Sequence, residues 1–138
     1  MIRIIAFTSA ALALQALALN ILASPSATAD EIRRPNLPTT LIGTWAENSQ
    51  QCASKDKSNI IIQNGKYGDA SGSCAVRWVV QTAGGAGANY AAHALCTSAA
   101  DQTKTQIVDI IIRPQGADRA AMGRSFNDLK VYQRCPAE

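Results

Sequence analysis

The sequence predicts an all-β fold, in which an antiparallel meander forms a small barrel or sandwich stapled by disulfides. Short apolar runs separated by glycine, Asn and Asp turns follow one another from Leu41 onward, as in a β-meander. No long segment keeps the 3.6-residue period of a helix. The chain also has four cysteines, an even number that is typical of disulfides in small exported domains. A two-layer α+β domain is the alternative.

The N-terminal residues 1–29 are typical of a secretory signal peptide. Arg3 supplies a positive charge, Ile4–Leu22 is largely apolar, and Ala27-Thr28-Ala29 places small residues before Asp30. A transmembrane anchor is the alternative, because the apolar stretch is nearly long enough to span a bilayer. The polar interruptions and the Ala-x-Ala site favour cleavage, so we expect a periplasmic or secreted protein with no stable membrane span afterwards.

Residues 30–40 are expected to be an extended leader, because Pro35 and Pro38 interrupt them without any apolar period. Residues 41–138 then form a single β domain, as the length of 138 residues allows. Ala117–Met122 could form one helical turn. Six segments are predicted strands: Leu41–Ala46, Asn59–Gln63, Ser73–Thr82, Ala88–Thr97, Thr105–Arg113 and Asn127–Arg134.

The third and fourth strands predict a hairpin folded about Gly85. Its register places large residues opposite small ones, which cross-strand packing favours, and the predicted pairs are Cys74 with Cys96, Val76 with Ala94, Trp78 with Ala92 and Val80 with Tyr90. The two cysteines meet on the apolar face, which predicts a Cys74–Cys96 disulfide and, by elimination, Cys52–Cys135. Four cysteines allow three pairings, so the other two stay open.

The remaining strands also present one apolar face each. Trp45 shares a face with Leu41 and Gly43, and the fifth strand carries Val108, Ile110 and Ile112 on one side. In the last strand, the predicted inward residues are Leu129, Val131 and Cys135. Such strands suit an antiparallel sheet folded around a single core.

Charge and composition argue against several classes of function. The 13 basic and 10 acidic residues give a net charge of +3 without any basic stripe, so we expect no nucleic-acid partner. The one histidine, His93, is predicted on the outer face beside Arg77, with no motif that supplies a nucleophile. We therefore expect no catalytic residue, no metal and no cofactor. An enzyme, built from carboxylates that converge from separate loops, is the remaining alternative.

Two polar loops are the candidate partner-binding segments, because a disulfide-stapled sheet lowers the ordering cost of binding. Ser49–Ser58 carries Lys55 and Lys57, and Asn64–Ser73 carries Lys66, Tyr67 and Ser71. Ordinary solvated turns are the alternative.

The order of several motifs resembles that of small secreted alphaproteobacterial proteins with four cysteines and a Gly-x-Trp motif. The matching segments are Gly43-Thr44-Trp45, Cys52, Cys74-Ala75-Val76, Cys96 and Tyr132-Gln133-Arg134-Cys135-Pro136. This resemblance implies export and a compact β fold, and it does not imply any particular activity. More distantly, the early Gly-x-Trp is similar to that of bacterial metalloprotease inhibitors and other calycin-like barrels. Gly65-Lys66-Tyr67 resembles the Ser-Gly-x-x-Tyr loop of periplasmic lysozyme inhibitors, although the serine is missing.

Together these observations predict an exported, disulfide-stabilised binding module, with inhibition of a hydrolase such as lysozyme or a protease as its specific form. A non-catalytic envelope protein that binds a cell-wall or membrane component is the alternative. We expect the module to be a monomer with a protein or cell-envelope partner.

Overall fold

Nine antiparallel strands and two short helical segments form the regular structure of residues 31–85 and 87–137, which are the residues described by this computed structural model. The helical segments are a 3-10 turn, Thr39–Leu41, and the helix α1, Ser49–Ser54. The strands are β1 Ile32–Arg34, β2 Gly43–Ala46, β3 Ile60–Gln63, β4 Lys66–Asp69, β5 Gly72–Gly84, β6 Gly87–Ser98, β7 Thr105–Pro114, β8 Arg119–Gly123 and β9 Lys130–Arg134.

The strands β2 to β9 close into an eight-stranded barrel. Each of these strands pairs with the next along the chain, and β9 returns to pair with β2 through Trp45 opposite Arg134 and Ala46 opposite Gln133. The ninth strand, β1, pairs with the second half of β5 outside the ring, at Val79–Gln81. The all-β prediction is therefore confirmed, and of the two architectures left open the closed barrel is the one observed.

The inward side chains of these strands fill the barrel. The largest fully buried side chains are Trp45, Ile62, Val79, Ile110, Ile112 and Met122. Small residues on β6, Ala92 and Ala94, are also buried and leave room for them. The predicted apolar faces of β6 and β7 are thus confirmed.

A β-bulge in β5 corrects the predicted hairpin register. Cys74 opposite Cys96 and Val76 opposite Ala94 are paired as predicted, but the register shifts between Val76 and Trp78. The bulge admits one extra residue, Arg77, and therefore reverses the facing of the rest of the strand. Trp78 is consequently paired with His93 on the outside, while Val79 is fully buried in its place.

Arg134 and Trp45 close one end of the barrel. The Arg134 guanidinium lies 4.3 Å from the centre of the Trp45 ring and donates hydrogen bonds to the backbone carbonyls of Ile42 (2.7 Å), Ala117 (3.3 Å) and Thr40. Gly43 permits this approach, because it has a φ of +145° and a Cβ there would come within 2.9 Å of Arg134 Nη1. Gly43 and Trp45 of the Gly-x-Trp motif thus form the contact site for Arg134 of the last strand.

The predicted facing of β9 is wrong. Tyr132 packs against the core, whereas Val131 is 40% exposed. The two residues are adjacent and both carry large apolar groups, so the sequence pattern alone does not distinguish the two sides of the strand. Arg134, which shares a side with Tyr132, lies over the Trp45 ring.

Five elements were not predicted as such, among them the 3-10 turn Thr39–Leu41. The leader contains β1, the Ser49–Ser58 loop contains α1, and the Asn64–Ser73 loop contains β4. Ala117–Met122, predicted as a possible helical turn, is instead largely strand β8. Pairing with β7 and β9 overrides the helical preference of its alanines. The helix α1 begins after Asn48, whose side chain accepts a hydrogen bond from the Gln51 N–H, and ends where Lys55 adopts a left-handed conformation.

Both predicted disulfides are confirmed. Cys74 and Cys96 join β5 to β6 with their Cα atoms 3.9 Å apart, and Cys52 and Cys135 join α1 to the end of β9 with a Cα separation of 5.4 Å. Two internal disulfides fit a protein of an oxidising compartment. The predicted signal peptide, residues 1–29, lies outside the described residues. Within the described part of the chain, no helix has the length and apolar character needed to cross a membrane.

Candidate functional site

The five residues predicted to bind a partner do not form one surface. Lys66 and Ser71 lie near opposite ends of β4 and both are exposed. Lys55 ends α1, and Lys57 lies in the exposed segment between α1 and β3. The expectation that Tyr67 projects from a loop is wrong, because it faces inward from β4 and is only 3% exposed.

Lys55 lines a groove of about 520 Å³ between α1, the outer side of β2 and β3, and the segment after β9. The Cys52–Cys135 disulfide forms part of its wall. Beneath α1, Asn59 is buried and its Nδ2 donates a hydrogen bond to the Gln51 carbonyl at 3.0 Å. The Asn59 Oδ1 has no hydrogen-bond partner among the described residues, and it is itself covered by protein. A ligand in this groove could therefore reach the Asn59 Oδ1 only if α1 moved.

A polar cluster surrounds Tyr67 at the other end of the barrel from Arg134. Arg124 Nη2 contacts Asp69 Oδ2 at 3.2 Å and donates to Ser71 Oγ at 2.9 Å, while the Ser71 hydroxyl and N–H both donate to Asp69 Oδ1. Burial alone raises the pKa of Asp69, but the hydrogen bonds from Ser71 and the charge of Arg124 outweigh it, so the pKa lies below its ordinary value. This cluster fixes the turn between β4 and β5 to the loop after β8.

The buried phenol of Tyr67 makes the barrel sensitive to alkaline pH. Burial, together with the nearby Asp69 carboxylate, raises the pKa of Tyr67 well above its ordinary value of 10.0. Above about pH 10 the unfolded chain loses this proton while the native barrel keeps it, so the stability present below pH 10 falls by up to about 1.4 kcal/mol per pH unit. We expect urea midpoints between pH 8 and pH 11 to fall less for Tyr67→Phe than for the wild type.

A matched variant tests this assignment. Burial raises the pKa of Tyr132 as well, but its side chain is only partly buried, so Tyr132→Phe should remove a smaller part of the alkaline loss. An unchanged alkaline loss in Tyr67→Phe would contradict the argument.

The most distinctive exterior feature is a row of side chains across β5, β6 and β7. The Trp78 and His93 rings are stacked with centroids 4.0 Å apart and planes inclined by 20°. His93 Nδ1 and Asp109 Oδ1 are hydrogen-bonded at 2.8 Å. At the other end, the Arg33 guanidinium of β1 lies 5.5 Å from the Trp78 ring centre, a distance typical of a cation–π contact. The row therefore runs from a cation, across two stacked rings, to a carboxylate.

Apolar side chains flank this row on both sides. Because side chains alternate along a strand, the strand pairings place Ala75, Leu95 and Ile107 on one side of it and Val80, Ala91 and Ile111 on the other. We name the row and these two flanking sets the β5–β6–β7 outer face. Ile107 is 65% exposed, and the side chains of His93 and Asp109 are 28% and 61% exposed, so the face is accessible around these residues, whereas Ile111 at its other end is only 7% exposed.

The row holds two aromatic rings between charged partners, since Arg33 lies over Trp78 and Asp109 is hydrogen-bonded to His93. Within residues 31–85 and 87–137, no hydroxyl or thiol side chain is hydrogen-bonded to His93. Tryptophan and arginine are among the residue types that carry most of the binding energy in protein interfaces. In the same described part of the chain, no cluster of three His, Cys, Asp or Glu side chains could hold a metal ion.

The sequence predicted His93 on the outer face but missed its partners. His93 was predicted beside Arg77 and not next to Asp109, and Trp78 was predicted opposite Ala92 on the inward face, whereas it pairs with His93. The only signal for Trp78 was the run Val76 to Val80, in which both faces carry apolar residues and the facing of each is therefore ambiguous.

Comparison of the chain with protein-family models, curated proteins and solved structures found no match.

Proposed function

We propose that this protein is an exported, disulfide-stabilised binding module that docks a protein partner on its β5–β6–β7 outer face. The observation that carries the proposal is the Trp78–His93 stack, held on the exterior between Arg33 and Asp109. Trp and Arg are enriched among the residues that dominate binding energy, and a barrel wall closed by two disulfides loses little conformational freedom on binding.

The charges of the row indicate what the partner presents. An acidic group is favoured opposite Arg33 and the exposed Arg77, whereas a basic group is favoured opposite Asp109. The convex wall of a barrel fits a concave surface, and glycosidase clefts are concave and lined by carboxylates. These features support inhibition of a hydrolase such as lysozyme as the specific form of the function.

Replacing Trp78 with alanine should weaken partner binding at least about 30-fold, as for a residue at the centre of an interface. The oxidised protein is immobilised and challenged with envelope extract and with a panel of lysozymes and metalloproteases. Captured species are identified by mass spectrometry, and their affinities for wild type and Trp78→Ala are measured by surface plasmon resonance. Inhibition of each captured hydrolase is assayed in parallel.

Phe126→Ala is the matched control, because Phe126 is an exposed aromatic residue that contacts Arg113 instead of the Trp78 row. We expect it to bind like wild type. Equal affinity of Trp78→Ala and wild type for the captured partner would overturn the assignment of the site. Capture of peptidoglycan fragments alone would favour an envelope protein that binds a wall component.

A further inference from the structure

One edge of β7 is open along Thr105–Asp109, which we name the open edge. β7 pairs with β6 from Thr105 to Ile112, but its ladder with β8 begins only at Ile111. β8 ends at Gly123, and the next residue, Arg124, reaches across the end of the barrel to Asp69 and Ser71. Within the described residues, no strand pairs with the first half of β7 on the side away from β6.

The hydrogen-bonding pattern shows which backbone groups face this side. In the β6–β7 ladder, the Ser98 N–H donates to the Lys104 carbonyl, so alternate residues from Lys104 onward face β6. In the β7–β8 ladder, the Gln115 N–H donates to the Arg119 carbonyl, so the odd-numbered residues of β7 face β8. Both ladders thus place the N–H and C=O groups of Thr105, Ile107 and Asp109 on the open edge.

The side chains along the open edge define the chemistry of a strand that would pair with it. Ile107 and Asp109 point outward, and both belong to the β5–β6–β7 outer face. Ile107 favours an apolar residue opposite, and the Asp109 carboxylate favours a basic one. A groove of about 610 Å³ lies beside the start of the open edge and is lined largely by polar residues, among them Ser71, Thr97 and Gln106. The side chain between the apolar and basic residues would lie beyond this groove, opposite Val108, which packs against the core, and would therefore be apolar.

We propose that the protein partner adds an extended strand to the open edge of β7, a proposal that rests on the proposed function. Backbone donors and acceptors repeating every two residues are satisfied by an extended chain. The Trp78–His93–Asp109 row ends at this same edge, so a partner docked on the outer face reaches it without a break. The added strand carries an apolar residue opposite Ile107, a basic residue opposite Asp109 and an apolar residue between them, opposite Val108.

A selection from random nonapeptides displayed on phage tests the proposal and requires no identified partner. The oxidised protein is the target, and the selected peptides are expected to share two consecutive apolar residues followed or preceded by a basic residue, and to lack proline. Their binding should slow hydrogen exchange at the amides of Thr105, Ile107 and Asp109. Failure to enrich any peptide, or slowed exchange elsewhere only, would overturn the proposal.

Two variants at one position separate backbone pairing from side-chain contact. Ile107→Pro removes an N–H that points to the open edge and leaves the β6 ladder intact, as proline is tolerated on strand edges. Ile107→Ala keeps the N–H and removes most of the side chain. We expect Ile107→Pro to lose binding at least tenfold more than Ile107→Ala. Equal losses in the two variants would show a side-chain contact alone and overturn strand addition.

The outcomes for the two proposals differ. A captured partner that needs Trp78 but leaves the exchange of the three edge amides unchanged would retain the proposed function and overturn strand addition. A partner that slows these amides but binds Trp78→Ala like wild type would retain the open edge as a docking site and overturn the role of the Trp78 row.

Discussion

Trp45→Ala is expected to lower the free energy of unfolding by about 3–5 kcal/mol, the range measured for large aromatic residues in cores. Trp45 is 1% exposed, and its Nε1–H donates to the Leu41 carbonyl at 3.0 Å. Its loss leaves a cavity, an unpaired carbonyl and an Arg134 guanidinium without the ring that covers it. Because β9 meets β2 at only two residue pairs, this loss weakens the closure of the barrel itself.

Urea unfolding followed by far-UV circular dichroism measures the effect, and the chain provides its own control. Trp78 is the same residue type on the outside, so Trp78→Ala should cost only about 1 kcal/mol, the value of an aromatic pair. Trp45→Phe keeps part of the ring, so its loss in the free energy of unfolding should lie between those of Trp45→Ala and Trp78→Ala. This variant keeps the comparison usable even if Trp45→Ala fails to fold. Equal losses in Trp45→Ala and Trp78→Ala would contradict the role assigned to Trp45.

The strands that could be predicted from the sequence are those with clear alternation. In β6, buried Ala92, Ala94 and Cys96 alternate with partly exposed residues, so period and facing were both evident. In β7, the charged Asp109 and Arg113 indicated the outer side, although Ile111 between Ile110 and Ile112 is buried as well. The disulfides followed from the same alternation, because Cys74 and Cys96 meet on one face in the first half of the hairpin, before the bulge.

The elements that could not be predicted are those where neighbouring positions carry equivalent residues. Val79 and Val80 are adjacent valines, so the pattern alone cannot tell which faces the core. The bulge at Arg77 decides it, and the alternation of apolar residues along the strand does not indicate where a bulge lies. The same bulge turns Trp78 outward next to His93, so the sequence pattern could not predict the Trp78–His93 stack either.

Tyr67 shows the converse error, in which local chemistry suggested a loop. Gly65 and Gly68 flank it with turn-forming residues, yet Lys66–Asp69 pairs on both sides, with β3 and with β5. Two neighbouring strands supply the hydrogen bonds that a four-residue strand lacks alone, so tertiary pairing overrides the local preference. Recognition by this protein is consequently proposed on a sheet face, where its rings are fixed by neighbours on adjacent strands.

Removing the Cys52–Cys135 disulfide is expected to lower the free energy of unfolding by about 4–5 kcal/mol, because the bridge closes a long loop in the unfolded chain. The two cysteines are 83 residues apart, whereas Cys74 and Cys96 are separated by 22. In the native state the longer bridge also holds α1, a helix of six residues, which is too short to persist alone. It further anchors the end of β9, where the Cys135 N–H donates to the Thr44 carbonyl at 2.8 Å.

The variant carrying Cys52→Ala together with Cys135→Ala tests this expectation by urea unfolding at neutral pH. Amide exchange in α1 and in β9 should rise well before global unfolding, since both segments depend on the bridge, while exchange in β6 changes little. The variant carrying Cys74→Ala together with Cys96→Ala is the comparison. The Cys74–Cys96 bridge closes a shorter loop, so its loss should lower the free energy of unfolding by about 3 kcal/mol. Removing the buried sulfurs adds a loss of packing. The amides of α1 should stay protected from exchange in this variant. A stability within about 1 kcal/mol of wild type for the Cys52–Cys135 variant would show that strand pairing alone closes the barrel, and that the bridge serves only to hold α1 against its wall.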